Sequence, residues 1–520
     1  MKEMVKDLVL RMSCGRTDVA TLCAQTVEDV EDGSVCSRVT AAESEILLSA
    51  PEIVSSVAEG TDPDAVKTPF VLSGDLLYSR RNWFYETVVR GYVEALSVSS
   101  ADAVRVPDES FYAQCRFSPR QEQKDAIAVM CREQFSILTG GPGTGKTFTI
   151  AQAVKFVRSG FAGLRLGLAA PTGKAAMRMK ESIEKEMDNV PEATTLHTLL
   201  GSNYDLVTFK HNRINPLPLD WLIVDEASMI GLPMMAKLIE ALPETCRLTL
   251  VGDVDQLASV ERGHVLGDLC RMKKVRLCRL SQSTRFPPDG GIAKLAKAVN
   301  ENRPQDALEI LKLEKPPVSY ADLSLSQPFS PQGWPGFLPM IKEGFAAFSA
   351  SRSAEEALAH LNDFRILCAL RQGPFGVEEM NRFVQSVLGR SCPQPVMITQ
   401  NDRTQDVANG DVGVILPDDP KWMHLPAKGG TRAIRIELLP SVEKAFATTI
   451  HKSQGSEFND VAIVLPPEGE SPLLTREILY TGITRTRKTV HVYAGDASIR
   501  KCCEKTVERV SGLSSATKGV

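Results

Sequence analysis

The chain has 520 residues, 43% of them hydrophobic and 24% charged, with a formal net charge of −4. It is too long for one hydrophobic core and calls for three or four units of ~100–200 residues. The balance is that of an ordinary globular protein; it excludes a strongly basic nucleic-acid binder but not a local basic groove.

Apolar runs stay short of the ~18 residues of a membrane helix, so no membrane partner is expected. The opening "MKEMVKDLVLRMSC" interrupts its apolar positions with charge. It reads as an amphipathic helix and not a signal peptide, which predicts a cytoplasmic protein. The 12 cysteines include no C-x-x-C pair, and buried small hydrophobes are the plain reading.

Residues 1–112 carry no catalytic motif and are expected to form a separate N-terminal domain. Within them "PFVLSGDLLYSRRNWFYETVVRGYVEAL" reads as a hairpin about Gly74 and Asp75, then an aromatic-rich helix. Tyr78, Arg80, Arg81, Trp83, Phe84 and Tyr85 concentrate side chains enriched at interface hot spots. They either dock a partner or fill the domain's own core.

From Phe135 the chain alternates strands (135–139, 164–170, 221–225, 246–252, 275–280) with helical patterns, the signature of a parallel sheet covered on both faces. The first strand runs into "GGPGTGKT", which fits G-x-x-x-x-G-K-[ST] at Gly140, Gly145, Lys146 and Thr147. In the loop Gly140, Gly141, Pro142, Gly143, Thr144 and Gly145, backbone N–H groups can converge on phosphate at the positive end of the next helix. Lys146 adds charge near the β- and γ-phosphates, and the Thr147 hydroxyl suits Mg²⁺. ATP is the expected substrate; the loop is silent on what the energy drives.

"DWLIVDEASM" sets Asp225 and Glu226 at a strand's carboxyl end. There an aspartate can hold a Mg²⁺ hydration shell and a glutamate can orient the attacking water. An acidic helix start is the blander alternative. "LVGDVDQLASVERG" offers Asp253 and Gln256 at the next strand end. A glutamine can bond a γ-phosphate oxygen and the water together, though a polar turn would look the same locally. Residues 203–216 read as a small projecting hairpin and 314–335 as a long surface connection.

A second alternating region follows, with strands at 364–370, 395–401, 461–467 and 489–495 and a small barrel expected at 402–445. "LSQSTRF" offers Arg285, and "YTGITRTRK" offers Arg485 and Arg487. Arginines from a second domain can close a cleft on ATP and stabilise the transferring phosphoryl group. Residues 511–520 are expected to be disordered.

Together with "LAAPTGKAAMRM", "TLHTLLG", "CALRQGPFGVEEMN", "NGDVGVIL" and "TTIHKSQGSEF", these motifs resemble superfamily 1 DNA helicases, and within them the RecD-type alpha subunits of exodeoxyribonuclease V. The resemblance runs from about Gln123 to Ala494. It implies an α/β fold class with two RecA-like parallel-sheet motor domains, 113–305 and 306–510. The hairpin at 203–216 would be a reduced 1B element, and 402–445 an SH3-like 2B barrel.

It further implies that Gln123 contacts adenine, Glu226 activates water and Glu457 holds the ribose. Gln256 would couple the γ-phosphate to DNA, and Arg285 and Arg485 would act as arginine fingers. Pro171, Thr172, Lys174, His197, Thr449, His451 and Lys452 would track single-stranded DNA. The implied activity is a 5′-to-3′ ATP-dependent helicase acting on single-stranded and duplex DNA, in a heterotrimer with RecB-like and RecC-like subunits.

Larger solo relatives carry a long N-terminal extension, whereas here only 112 residues precede the motor, which favours the subunit reading. A stand-alone helicase and a non-motor nucleotide-binding scaffold are the alternatives. The nuclease of such a complex would belong to a partner. The acid-rich pieces "VEDVEDG", "PDDP" and "PPEGE" here read as turns.

Overall fold

A computed structural model of the chain describes all residues except 59, 97–105, 162, 203–207, 260, 314, 325–329, 403, 428 and 514–520. Its strands form four sheets.

The N-terminal part opens with the helix Lys2–Met12 packed on Thr17–Glu31. The acidic piece at 27–31 is therefore the end of a helix and not a turn. A four-stranded sheet follows, in the order Ser37–Arg38, Leu76–Ser79, Phe70–Ser73, Val54–Ser56. The hairpin turns at Gly74, whose φ of +60° lies in the left-handed region that suits glycine.

Ser79 caps the helix Arg80–Ala95 by accepting from Asn82 N at 3.4 Å. This helix packs on Leu232–Ala241 of the first motor region. Tyr78 and Trp83 are buried, and Lys237 Nζ lies 5.8 Å from the Tyr85 ring centre. Tyr78 and Trp83 thus belong to the chain's own core, while Phe84 and Tyr85 pack half-buried against it and Arg81 is exposed.

The first large sheet has six parallel strands in the order Arg276–Leu280, Phe135–Gly140, Arg247–Gly252, Trp221–Val224, Leu166–Ala170, Ala193–Thr195. Adjacent residues serve opposite faces. Ile137, Leu222 and Leu250 join one core, and Leu138, Ile223 and Val251 join the other. Burial on both sides explains why these strands are almost unbroken apolar runs.

The second motor sheet has five parallel strands in the order Val318–Asp322, Thr486–Ala494, Phe458–Val464, Phe364–Cys368, Ala447–Thr449. Two expectations change here. Val318–Asp322, read as part of a surface connection, is an edge strand paired along Thr486–Ala494. The stretch expected as a strand of this sheet at 395–401 leaves it: Gln394–Ile398 belongs to an antiparallel insertion.

That insertion orders its strands Gly430–Arg435, Asp419–Ala427, Val412–Leu416, Gln394–Ile398, Val442–Lys444. It begins before residue 402, and among the described residues its end strands do not pair. The expected barrel is an open sheet; its last strand has only three residues to offer an edge.

The hairpin expected at 203–216 lies partly outside the described residues. What is described is an antiparallel bridge between Ser202 and Phe209 and a turn closed by Asn212 N and Asn215 O at 3.1 Å.

The end of the chain also departs from expectation. Val35 N donates to Val510 O at 2.8 Å, Gly512 N donates to Glu86 at 3.0 Å, and Leu513 is 1% exposed. Residues 511–513 are packed into the N-terminal core, because the backbone there finds partners and the leucine finds a pocket. The rest of the expected tail lies outside the described residues.

Candidate nucleotide site and DNA path

The loop from Gly140 to Gly145 lies at the carboxyl end of a central strand, where ligands of open α/β sheets bind. Three of its carbonyls, those of Pro142, Gly143 and Thr144, are held by neighbouring side chains and backbone. Arg120 and Gln123 donate to Thr144 O at 2.8 and 3.3 Å, and Ser283 Oγ donates to Pro142 O at 2.8 Å. Thr284 donates to Gly143 O from its backbone at 2.8 Å and its hydroxyl at 2.9 Å. With these carbonyls engaged, the N–H groups of the loop are left for an anion.

Contact requires glycine at 143, and a left-handed backbone favours it at 145. A Cβ on Gly143 would sit 2.4 Å from Arg285 Cβ. On Gly145, with φ of +88°, it would sit 2.5 Å from Gln123 Nε2. The helix Lys146–Gly160 starts at once, so its unpaired N–H groups open onto the loop. Lys146 Nζ donates to Gly140 O at 2.6 Å and Gly141 O at 3.2 Å.

Asp225 and Glu226 follow the strand Trp221–Val224. Glu226 holds φ of +51°, a left-handed conformation uncommon for a non-glycine residue and frequent at functional sites. Its N–H donates to Asp225 Oδ1 at 2.8 Å. Burial, then the neighbouring Glu226 charge, raises the Asp225 carboxyl above its usual range, against the pull of Lys146. An acid held like this gains from a nearby cation.

Asp253 and Gln256 come from the adjacent strand end. Gln256 Nε2 donates to Asp253 Oδ2 at 2.9 Å, while its buried Oε1 has no partner. The second motor region reaches into this corner. Tyr480 OH donates to Asp253 Oδ2 at 3.2 Å, and Leu257 N donates to Thr481 Oγ1 at 3.0 Å.

A cleft of about 840 Å³ joins these parts, lined by the phosphate loop, Asp225, Glu226 and Gln256 on one side and Glu457, Arg485 and Arg487 on the other. Arg485 is 4% exposed and donates to Thr481 O and Ser456 O, each at 3.2 Å. Burial lowers its pKa, with Glu226 and Glu457 opposing.

Glu457 is gripped by Arg285, and by Arg487 at 3.0 Å. Burial pushes its carboxyl up, but Arg285 and Arg178 outweigh that and hold it at about 2. Its carboxylate therefore joins the two motor regions through arginine in this structure.

The candidate DNA residues divide into groups. Thr172 caps the helix Gly173–Glu184, accepting from Ala175 N at 3.3 Å, with Pro171 just before it. Lys174 Nζ donates to Ser456 Oγ at 2.7 Å. Opposite them, Thr449 Oγ1 accepts from Lys452 N at 3.2 Å, and Lys452 pairs with Glu443 at 2.5 Å. Burial lowers the pKa of His451. His197 stands apart on the helix Leu196–Leu200, its ring 6.1 Å from that of Phe209.

Sequence reading missed Arg120, Ser283 and Thr284 as supports of the phosphate loop, and Arg178 and Tyr480 in the cleft. Ser283 and Thr284 adjoin Arg285 in "STRF", and Tyr480 opens "YTGITRTRK", so both motifs carried a usable signal. Among the described residues, no cluster of three metal-ligating side chains occurs and no helix is long and apolar enough to cross a membrane.

Residues 123–262 match the AAA domain family, and 444–493 match the UvrD-like helicase C-terminal domain. Among solved structures the chain resembles the Pif1 helicase from Bacteroides in complex with ADP-AlF3 and ssDNA, at 17% identity and a TM-score of 0.44, over 74% of this chain and 94% of that one. It is 30% identical over 404 residues to the ATP-dependent RecD2 DNA helicase of Deinococcus radiodurans, covering 75% of this chain but 51% of that protein. With the RecBCD enzyme subunit RecD of Mycolicibacterium smegmatis it shares 38% identity over 469 residues, 85% of this chain and 82% of that protein. At that identity and coverage, the chain belongs to the RecD family of RecBCD enzyme subunits.

Proposed function

We propose that this chain is the ATP-driven DNA helicase subunit of a cytoplasmic RecBCD-type complex, moving 5′-to-3′ on single-stranded DNA beside RecB-like and RecC-like partners. One observation carries the reading. The phosphate loop and acid pair of one motor region share a cleft with buried Arg485 and its neighbours from the other. A cleft built from two parts opens and closes as nucleotide is bound and lost, and that motion is a stroke.

Within the cleft, the loop N–H groups and Lys146 hold the triphosphate, and Gln123, which donates to Thr144 O of the loop, would contact the adenine. Thr147 and Asp225 supply hard oxygen donors, and the buried, raised Asp225 carboxyl fits a cation beside it, so these two residues would hold Mg²⁺. When bound, that ion would neutralise charge on the phosphates. Glu226 accepts a proton from the attacking water, and the unpartnered Gln256 Oε1 orients it. Arg285 and Arg485 stabilise the charge that develops on the transferred phosphoryl group. Thr172, Lys174, Thr449, His451 and Lys452 hold the DNA backbone across both regions.

Single-stranded DNA should strongly stimulate ATP hydrolysis. Lys146→Gln should abolish it with the fold intact, costing at least ~10²–10³ in rate, as lost transition-state charge stabilisation does. Near-normal turnover in that variant would remove the phosphate role. Co-expression with RecB-like and RecC-like chains should yield a heterotrimer. The kinship with RecD2 favours a stand-alone helicase as the second reading, and failure to assemble would select it.

A further inference from the structure

Three consecutive residues of the second motor region form a junction in the cleft. Gly455 O accepts from Arg178 Nη1 at 2.5 Å. Ser456 takes Lys174 Nζ on its hydroxyl at 2.7 Å and Arg485 Nη1 on its carbonyl at 3.2 Å. Glu457 binds Arg285 and Arg487. The turn that anchors Arg485 is thus itself held from the first motor region, by two side chains of the helix Gly173–Glu184 and by Arg285.

That helix begins at the candidate DNA loop Pro171–Lys174 and, one turn later, presents Arg178. The turn it grips follows directly on His451 and Lys452, the candidate DNA residues of the other side. Both candidate DNA segments therefore meet beside Arg485, which lines the cleft together with the phosphate loop. Burial lowers the pKa of the Arg178 guanidinium, Glu457 and Glu226 oppose this, and Arg487 and Arg485 add to it. A largely buried guanidinium bonded to Gly455 O is a fixed group and not a mobile surface one.

We propose that Arg178 is a positioning residue: by holding the Gly455–Glu457 turn it sets Arg485 in the cleft it shares with the phosphate loop. The proposal rests on Arg485 acting on the transferred phosphoryl group. Arg178 itself needs no contact with ATP.

The test is DNA-stimulated ATP hydrolysis by the full chain as wild type, Arg178→Ala, Arg178→Lys, Arg485→Ala and the double alanine variant. Arg178→Ala should lower kcat by up to about 100-fold, the effect of misplacing a reacting group by about 1 Å. KM for ATP and the affinity for single-stranded DNA, read by anisotropy, should stay unchanged. Arg178→Lys should recover part of kcat, since an ammonium can still donate to Gly455 O.

The double variant should be no slower than Arg485→Ala alone, because Arg178 acts through Arg485. Multiplying losses in the double variant, with Arg485→Ala impaired, would overturn the positioning role while sparing the role of Arg485. Wild-type kcat in Arg485→Ala would overturn both. If Arg178→Ala does not fold, Arg178→Gln takes its place, and unchanged kcat there and in Arg178→Lys would overturn the proposal.

Discussion

Raising the pH should detach this protein from DNA in a way that depends on one lysine. Burial, then the nearby Arg178 and Arg365 charges, pushes Lys174 from 10.5 down to about 7, with Asp411 opposing. At pH 7 about half of the free molecules carry the ammonium, and at pH 9 about one in a hundred does. A DNA phosphate against Lys174 favours the charged form, so binding takes up a proton. Affinity then follows the charged fraction and falls about 50-fold from pH 7 to pH 9, approaching tenfold per unit at the upper end.

His451 adds nothing in this window, because burial lowers its pKa from 6.5 and it is already neutral. The assay is anisotropy of a labelled oligothymidylate at fixed ionic strength, for wild type and Lys174→Met. Wild type should be steep and the variant flat. Equal slopes, or a flat wild type, would refute the contact between Lys174 and phosphate.

The same group acts on stability with a definite sign. Its folded pKa is depressed, so between about pH 7 and 10.5 the unfolded chain binds more protons and stability rises with pH, by up to about 1.4 kcal/mol per unit. Lys174→Met should remove that rise in denaturant melts across the window.

Leu513→Ala should destabilise the N-terminal region by about 2–5 kcal/mol, the usual cost of emptying a fully buried leucine site; an unchanged melting profile would mean that the end of the chain is not packed there. Binding to single-stranded DNA should be indifferent to base sequence and should weaken linearly in log salt, because the candidate contacts are to phosphate; a salt-independent preference for one sequence would contradict this. The purified chain with Mg²⁺, ATP and end-labelled duplex should unwind without cutting. Degradation that co-purifies and survives Lys146→Gln would reveal a second active site.

The phosphate loop was legible in sequence because it answers local backbone demands: a glycine where a Cβ would strike Arg285, another where φ is +88°, and a helix start at Lys146. The strands Phe135–Gly140 and Trp221–Val224 were legible because burial on both faces writes an unbroken apolar run. The edge strand Val318–Asp322 was not, since it is half-exposed and sits among prolines, so no periodicity marks it. Gln394–Ile398 shows the same limit: an apolar run fixes that a strand forms but not which sheet it joins.

Burial of Tyr78 and Trp83 within the chain, and the packing of residues 511–513 on Glu86, were decided by which surfaces happened to meet. The cleft lies furthest from sequence. Lys174 and Ser456 are 282 positions apart, and Arg178 and Gly455 are 277 apart. Sequence chose the residue types for each side, but only closure of two separately built sheets on one another could set those side chains within a hydrogen bond of each other.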